Sequence, residues 1–185
     1  MKKITLIAVM ALFTTVGFSQ QRFAHVNFSE LVQLAPEADQ ARAQMAASQN
    51  EAQETYQAMV EEFQTKYSQY QQKVSTWTAT IRESKEKELS DMQTRIQEFE
   101  QSIQQELSEQ QNALMAPIYN KAQDVVKDLA KQGGYIYVFE TSSMLYIDDT
   151  QSVDLTPAAR KALNIPEGRT LETLQAELMA QQQAQ

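Results

Sequence analysis

Residues 38–116, ADQARAQMAASQNEAQETYQAMVEEFQTKYSQYQQKVSTWTATIRESKEKELSDMQTRIQEFEQSIQQELSEQQNALMA, run for 79 positions without a Gly or a Pro. A stretch this long with neither backbone breaker is mostly helix. Its apolar residues step by threes and fours through Met45, Ala52, Tyr56, Met59, Phe63, Tyr70, Val74, Trp77 and Ile81. They resume at Leu89 and continue through Met92, Ile96, Phe99, Ile103, Leu107 and Leu114. That is a narrow coiled-coil seam. Between Ile81 and Leu89 the sequence Arg82-Glu83-Ser84-Lys85-Glu86-Lys87-Glu88 holds no apolar residue, and weak helix formers (Ser75, Thr76, Thr78, Thr80) precede it. The gap reads as a reversal with its tip near 80–88, since the seams on either side are of similar length and would pair along their whole extent. An unbroken rod is the alternative: the eleven-residue step from Ile81 to Met92 is one a coiled coil absorbs as a stutter. Glu83–Lys87 and Asp91–Arg95 would then be i,i+4 pairs on a solvated helix.

Outward from the arm, the chain changes character. Arg22 to Phe28 (RFAHVNF) alternates like a short strand, Ser29 reads as the N-cap of Glu30–Leu34, and Pro36 suits the first turn of the next helix. Pro117 interrupts the returning helix and is the candidate hinge where arm meets body. Gly133-Gly134 stops that helix. Tyr135–Glu140 (YIYVFE) is a strand apolar on both faces, and Met144–Ile147 is read as its hairpin partner. Thr156-Pro157 opens a short helix to Leu163, and Thr170 begins a last one with Leu171, Leu174 and Leu178 on one side. The fold class is therefore mainly α with a small β body: a long antiparallel helical hairpin attached to a short-stranded sheet. So few strands leave apolar edges that sister subunits would complete. The candidates for that contact are Phe23, Val26, Phe28, Tyr135, Tyr137 and Phe139.

The domain division that follows is 1–19 for a signal peptide, 20–37 and 117–165 for the body, 38–116 for the arm and 166–185 for a C-terminal helical extension. Lys2 and Lys3, the apolar run Ile4–Val16 and the small residues around Gly17-Phe18-Ser19 read as a secretory signal cleaved near Ser19. The run is nearer 13 residues than the ~20 needed to span a bilayer. The mature chain is expected outside the cytoplasm, where ATP is absent.

Composition removes most chemistry. The 185 residues include no Cys and one His, which leaves no thiol nucleophile, disulfide or ordinary zinc site. A formal charge of −8 argues against nucleic acid and anionic lipid as partners. No phosphate loop or nucleophile elbow is present. His25 stands alone, and Asp148-Asp149 and Glu61-Glu62 read as solvated turn and helix face. No catalysis, metal or cofactor is expected; the function should be binding.

The combination of signal, short strand (Phe23–Phe28), Pro-started helix, Gly/Pro-free hairpin and return into a body resembles the Skp/OmpH family of periplasmic chaperones. The return carries the likeness furthest: Leu114-Met115-Ala116-Pro117-Ile118, Ala122-Gln123-Asp124-Val125-Val126, Gly133-Gly134-Tyr135, Tyr146-Ile147-Asp148 and Asp154-Leu155-Thr156. The resemblance covers about residues 1–165. It implies a homotrimer in which strands of three subunits form a central β body and three hairpins hang around a cavity. It further implies an ATP-independent holdase that shields unfolded outer-membrane proteins from aggregation. Members that clasp lipopolysaccharide are basic, whereas Asp39–Ala122 carries eight basic and thirteen acidic residues, which argues against that ligand here. A structural or adaptor coiled coil of the envelope with a fixed protein partner is the alternative. For client contact the candidates are Val60 and Tyr67, which lie beside the seam, and then the seam residues Tyr56, Met59, Phe63, Tyr70, Trp77 and Met92.

Overall fold

The computed structural model describes residues 22–183; the expected signal peptide lies outside them. The element order is β1 (Arg22–Val26), α1 (Phe28–Leu34), α2 (Pro36–Lys73), α3 (Ala79–Gly133), β2 (Tyr135–Glu140), β3 (Ser152–Asp154), α4 (Thr156–Ala162) and α5 (Leu171–Gln183). A single 3-10 turn, Thr141–Ser143, follows β2. The chain is thus mainly helical with one small sheet, as the sequence implies.

The sheet has the order β2-β1-β3, and both neighbours run parallel to β1. Parallel strands need a crossover, and α1 to α3 supply it: the entire arm is the connection between β1 and β2. The expected antiparallel partnership of Tyr135–Glu140 with Met144–Ile147 is not formed. The 3-10 turn closes with Met144 N–H on the Thr141 carbonyl at 3.1 Å and does not bring the chain back along β2. Instead Asp148 organises a later turn, accepting from Thr150 N–H at 2.9 Å, and Ser152–Asp154 joins the other edge of β1.

The start of α1 also differs from expectation. Asn27, not Ser29, is its N-cap: Asn27 Oδ1 accepts from Glu30 N–H at 3.0 Å while Asn27 Nδ2 donates to Glu30 Oε2 at 3.1 Å, and the Asn27 backbone N–H donates to Thr156 Oγ1 at 2.9 Å. Ala35 is extended because Pro36 follows, and that kink separates α1 from α2.

The hairpin is real but its tip is displaced. α2 ends at Lys73 and α3 begins at Ala79, so the reversal occupies 74–78 rather than 80–88. The β-branched and hydroxyl residues decide the place: Thr76 Oγ1 donates to the Lys73 carbonyl at 2.8 Å, and Thr78 Oγ1 accepts from Ile81 N–H at 3.4 Å as the N-cap of α3. These side chains compete with the helix for its backbone groups. The polar run Arg82–Glu88 is simply the first turns of α3, and the break ahead of it rules out the unbroken rod. Gly133 and Gly134 end α3 as expected, with Gly134 at φ 65°. A Cβ on Gly133 would lie 2.1 Å from the Tyr135 ring, so a larger residue there would force that ring to move.

The core sits in the body. Ala24 and Val26 of β1, Leu31 and Leu34 of α1, Ala122 and Val126 of α3, and Ala159, Leu163 and Ile165 are buried together. Leu174 of α5 belongs to the same cluster, so the last helix is packed into the body rather than trailing from it. A second cluster, Ala35, Ala38, Ala41 and Ile118, forms the root of the arm. The largest fully buried side chains, Leu31, Leu34 and Leu163, are all in the body.

Candidate functional site

Two surfaces stand out, one on the arm and one on the sheet. An isolated pair of helices has only one seam and no second layer to cover it. Beyond its root at Ala41, the arm therefore buries just one apolar residue, Met92, among the described positions. Tyr56, Met59, Phe63, Tyr70, Trp77, Phe99, Ile103 and Leu107 all remain half-buried along the seam. Polar clasps add to this partial packing. Gln110 donates to Ser48 Oγ at 2.9 Å, Lys66 bonds Glu88, and the Tyr70 hydroxyl donates to Glu86 at 2.5 Å. The Lys66 and Lys85 ammoniums beside Glu88 lower its pKa to about 2, while Glu86 raises that of Tyr70.

The seam is also open on both flanks midway along the arm. One side is a groove of about 810 Å³ with Met45, Ala52, Tyr56, Phe99, Ile103 and Leu107 as its floor and five glutamines, Gln49, Gln53, Gln57, Gln104 and Gln111, on its rim. The other side is smaller, about 400 Å³, and carries Glu51 and Glu106 on its rim. Ala52 opposite the larger side chains of α3 explains the openings: it is too small to fill the space between the helices.

On the body, Ala24 and Val26 of β1 point into the core, and Phe23 and His25 take the opposite face. There Phe23 stacks on Tyr137 at 6.4 Å between ring centroids, and Tyr137 lies 5.9 Å from Phe139. Tyr137 is 60% exposed. His25, by contrast, is buried, its Nδ1 hydrogen-bonded to Ser152 Oγ at 2.9 Å. Among the described residues β2 and β3 both present free outer edges, and the loop beyond β2 holds Leu145 and Tyr146 largely in solvent. An apolar, aromatic sheet face with open edges is rare on a protein that works alone.

The residues singled out from sequence thus divide. Val60 is half-buried and Tyr67 is 46% exposed, stacked at 6.0 Å on Phe63. Trp77 lies in the reversal itself, 6.0 Å from Tyr70. Phe23, Tyr137 and Phe139 share the open sheet face. Val26 does not, because the strand alternation turns it into the protomer's own core. Phe28 packs edge-on against Tyr119 at 4.8 Å, and Tyr135 lies under the Arg22 guanidinium at 4.7 Å. Pro117 sits inside α3, one residue before the root residue Ile118.

Leu145, Tyr146 and the glutamine rim were missed by sequence reasoning. An apolar tetrapeptide such as Met144–Ile147 looks like any buried strand, and only the closing turn shows it to be outside.

Among the described residues no His, Asp or Glu side chains gather as a metal site, and no helix is long and apolar enough to cross a membrane. A protein-family comparison matches residues 22–163 to the family described as "OmpH: Outer membrane protein (OmpH-like)". The chain is also similar to "Chaperone protein Skp" of Yersinia enterocolitica, at 29% identity over 148 residues, 78% of this chain and 88% of that protein.

Proposed function

The chain belongs to the OmpH-like family, and from that premise we propose that it is an ATP-independent holdase of the periplasm that receives unfolded outer-membrane proteins between its arms and prevents their aggregation. The observation that carries this reading is the arm itself, a seam about 55 Å long at 1.5 Å per residue that stays half-buried almost throughout. Many weak apolar contacts spread along an arm suit a client that must be shielded and later released. A small catalytic pocket is not needed, and the reading assigns no reaction.

The open sheet face supports oligomerisation. Phe23, Tyr137 and Phe139 on the face, with Leu145 and Tyr146 beyond it, supply apolar contact area, and the edges of β2 and β3 supply unpaired backbone groups. A homotrimer would place three arms around a cavity. The acidic balance of the arm leaves lipopolysaccharide and nucleic acid outside this proposal.

The test is light scattering while a urea-unfolded outer-membrane β-barrel protein is diluted into buffer, with or without residues 20–185 and without nucleotide. Suppression near one trimer per client supports the holdase. Unchanged scattering at several-fold excess overturns it and moves the reading to an envelope adaptor with a fixed protein partner.

A further inference from the structure

We infer that the larger groove on the arm is a subsite for a short extended segment of polypeptide, gripped through its backbone by glutamine side chains. The inference rests on the holdase reading and names where on the arm the client lies.

The two flanks of the same seam share Ala52, Phe99, Ile103 and Leu107 as floor, so apolar contact alone does not distinguish them. Their rims do. The larger groove is edged by Gln49, Gln53, Gln57, Gln104 and Gln111, and its one acid, Glu100, already interacts with the Tyr56 hydroxyl, whose pKa it raises. Each glutamine amide carries two donor hydrogens and an acceptor oxygen. That is the complement of an unpaired peptide group, which offers one donor and one acceptor whatever its side chain. The smaller groove instead carries the carboxylates Glu51 and Glu106, which accept but cannot donate, beside Ser48, Thr55 and a single glutamine, Gln110, whose amide already donates to Ser48 Oγ.

Size fits the same occupant. From Met45 to Gln57 the groove follows α2 for roughly 18 Å at 1.5 Å per residue, which matches about five residues of extended chain at ~3.3 Å each. An extended segment puts alternate side chains on the apolar floor, while backbone amides meet the rim. A transmembrane strand of an unfolded barrel protein has this alternation. A free anion or an anionic lipid head finds no cation among the groove's lining residues.

The experiment introduces a photo-cross-linking residue at Gln53 or Gln104, and in control proteins at Glu51 or Glu106, all exposed positions. Each protein is mixed with a urea-unfolded outer-membrane barrel protein, and scattering and cross-linking are read on the same sample. Suppressed scattering with client cross-links at 53 and 104 at least five-fold above those at 51 and 106 is the expected result. Equal labelling of both flanks under full suppression overturns the subsite and leaves the holdase standing. Cross-links from 53 and 104 to a second copy of the chain, with or without client, give the groove to another arm and also overturn it. If scattering is not suppressed at all, the holdase fails and the subsite with it. A second measurement uses Q53E/Q57E/Q104E, which keeps side-chain size and removes donors. Client affinity should fall about tenfold, as expected for the loss of several modest hydrogen bonds, with helicity unchanged. Wild-type affinity in this variant overturns the glutamine grip.

Discussion

Arg169 Nη2 donates to Asp39 Oδ1 at 2.6 Å, joining the segment ahead of the last helix to the first turn of the arm helix α2. Asp39 also accepts from Arg42 on its own helix. Arg160 bonds Glu30 and donates to the Arg169 carbonyl at 2.5 Å, so α1, α2 and the C-terminal segment are tied through two guanidiniums. Leu174 then buries itself in the body core. Residues 164–183, which lie beyond the part of the chain matched by the family, therefore brace the root of the arm.

Arg169→Ala should cut this brace. The Arg169 side chain is largely covered but Asp39 is partly exposed, so the loss in global stability is expected to be modest, about 1 kcal/mol. The local effect is larger: amide exchange across α5 should speed up several-fold while β1 and α4 stay protected. Leu174→Ala should cost more, about 2–4 kcal/mol, through the cavity it leaves in the body. Equal protection of α5 in Arg169→Ala and in the unaltered protein would show that burial of Leu174 alone holds the helix.

The far end of the arm should respond to pH at both extremes. Glu88 has its pKa lowered from 4.5 to about 2 by Lys66 and Lys85, so its contribution is complete above the unfolded value and fades as pH falls from 4.5 toward 2. Lys66 has its pKa raised above 10.5 by Glu88, so its contribution is complete below that value and is lost as pH rises through the folded one. The Lys66–Glu88 clasp thus contributes in full between about pH 4.5 and 10.5. Spin labels at Gln69 and Lys87 should report one narrow distance within that window and a broad distribution once the pH falls below the lowered Glu88 value, about 2. A distribution that stays narrow at low pH assigns the tip's order to Tyr70 and Trp77 instead.

The sheet face gives a direct test of the proposed trimer. Tyr137→Asp places a charge between Phe23 and Phe139 without entering the protomer core, since the side chain already faces outward. Sedimentation should show protomers in place of trimers, with the far-ultraviolet helical signal retained. Because Leu145 and Tyr146 touch solvent already, L145S/Y146S should leave the protomer's stability within about 0.5 kcal/mol and weaken only the assembly. Intact trimers in both variants would place the subunit contact elsewhere.

The arm was legible from sequence because helix and seam are local properties: the absence of Gly and Pro and the three-four spacing need no tertiary knowledge. Its tip was misplaced because two signals compete. A polar gap at Arg82–Glu88 says only that no partner covers that stretch, whereas Thr76 and Thr78 act on the backbone itself and set where the helices stop. The sheet was harder. Parallel pairing of β1 with β2 depends on contacts more than a hundred residues apart, and the nearest apolar run, Met144–Ile147, looked the better partner. Of the client-contact candidates, Val60 and Tyr67 stand out by position beside the seam, while the glutamine rim has no apolar signature and becomes visible only when two helices are laid side by side.

Val60 and Tyr67 should matter to clients more than to the fold. Tyr67 is half out in solvent, so Tyr67→Ser removes little buried area and is expected to change stability by less than about 1 kcal/mol. Val60→Ser should do the same. If these positions touch the client, the double variant should need several-fold more protein to suppress scattering of the unfolded barrel protein. Met92→Ala serves as the contrast: it removes the one apolar side chain buried beyond the arm's root among the described residues and should lower arm stability by about 2 kcal/mol or more. Equal chaperone loss in both would mean that arm integrity, not contact at positions 60 and 67, limits capture.

Pro117 lies at the junction where arm becomes body, next to Ile118, which is buried against Ala35, Ala38 and Ala41. Its ring leaves the Ala113 carbonyl without its helical N–H partner and crowds the turn before it. Pro117→Ala restores that bond and should raise stability by about 1–3 kcal/mol. The proposed trimer should stay intact, because the sheet face is untouched. If arm movement at this joint lets the cavity fit clients of different size, spin labels at Ser68 in separate subunits should give a narrower distance distribution. Capture of the largest barrel clients should then weaken relative to the smallest. An unchanged distribution with unchanged client range would show that the arm bends elsewhere, and the half-buried stretch around Ala52 would be the next place to look.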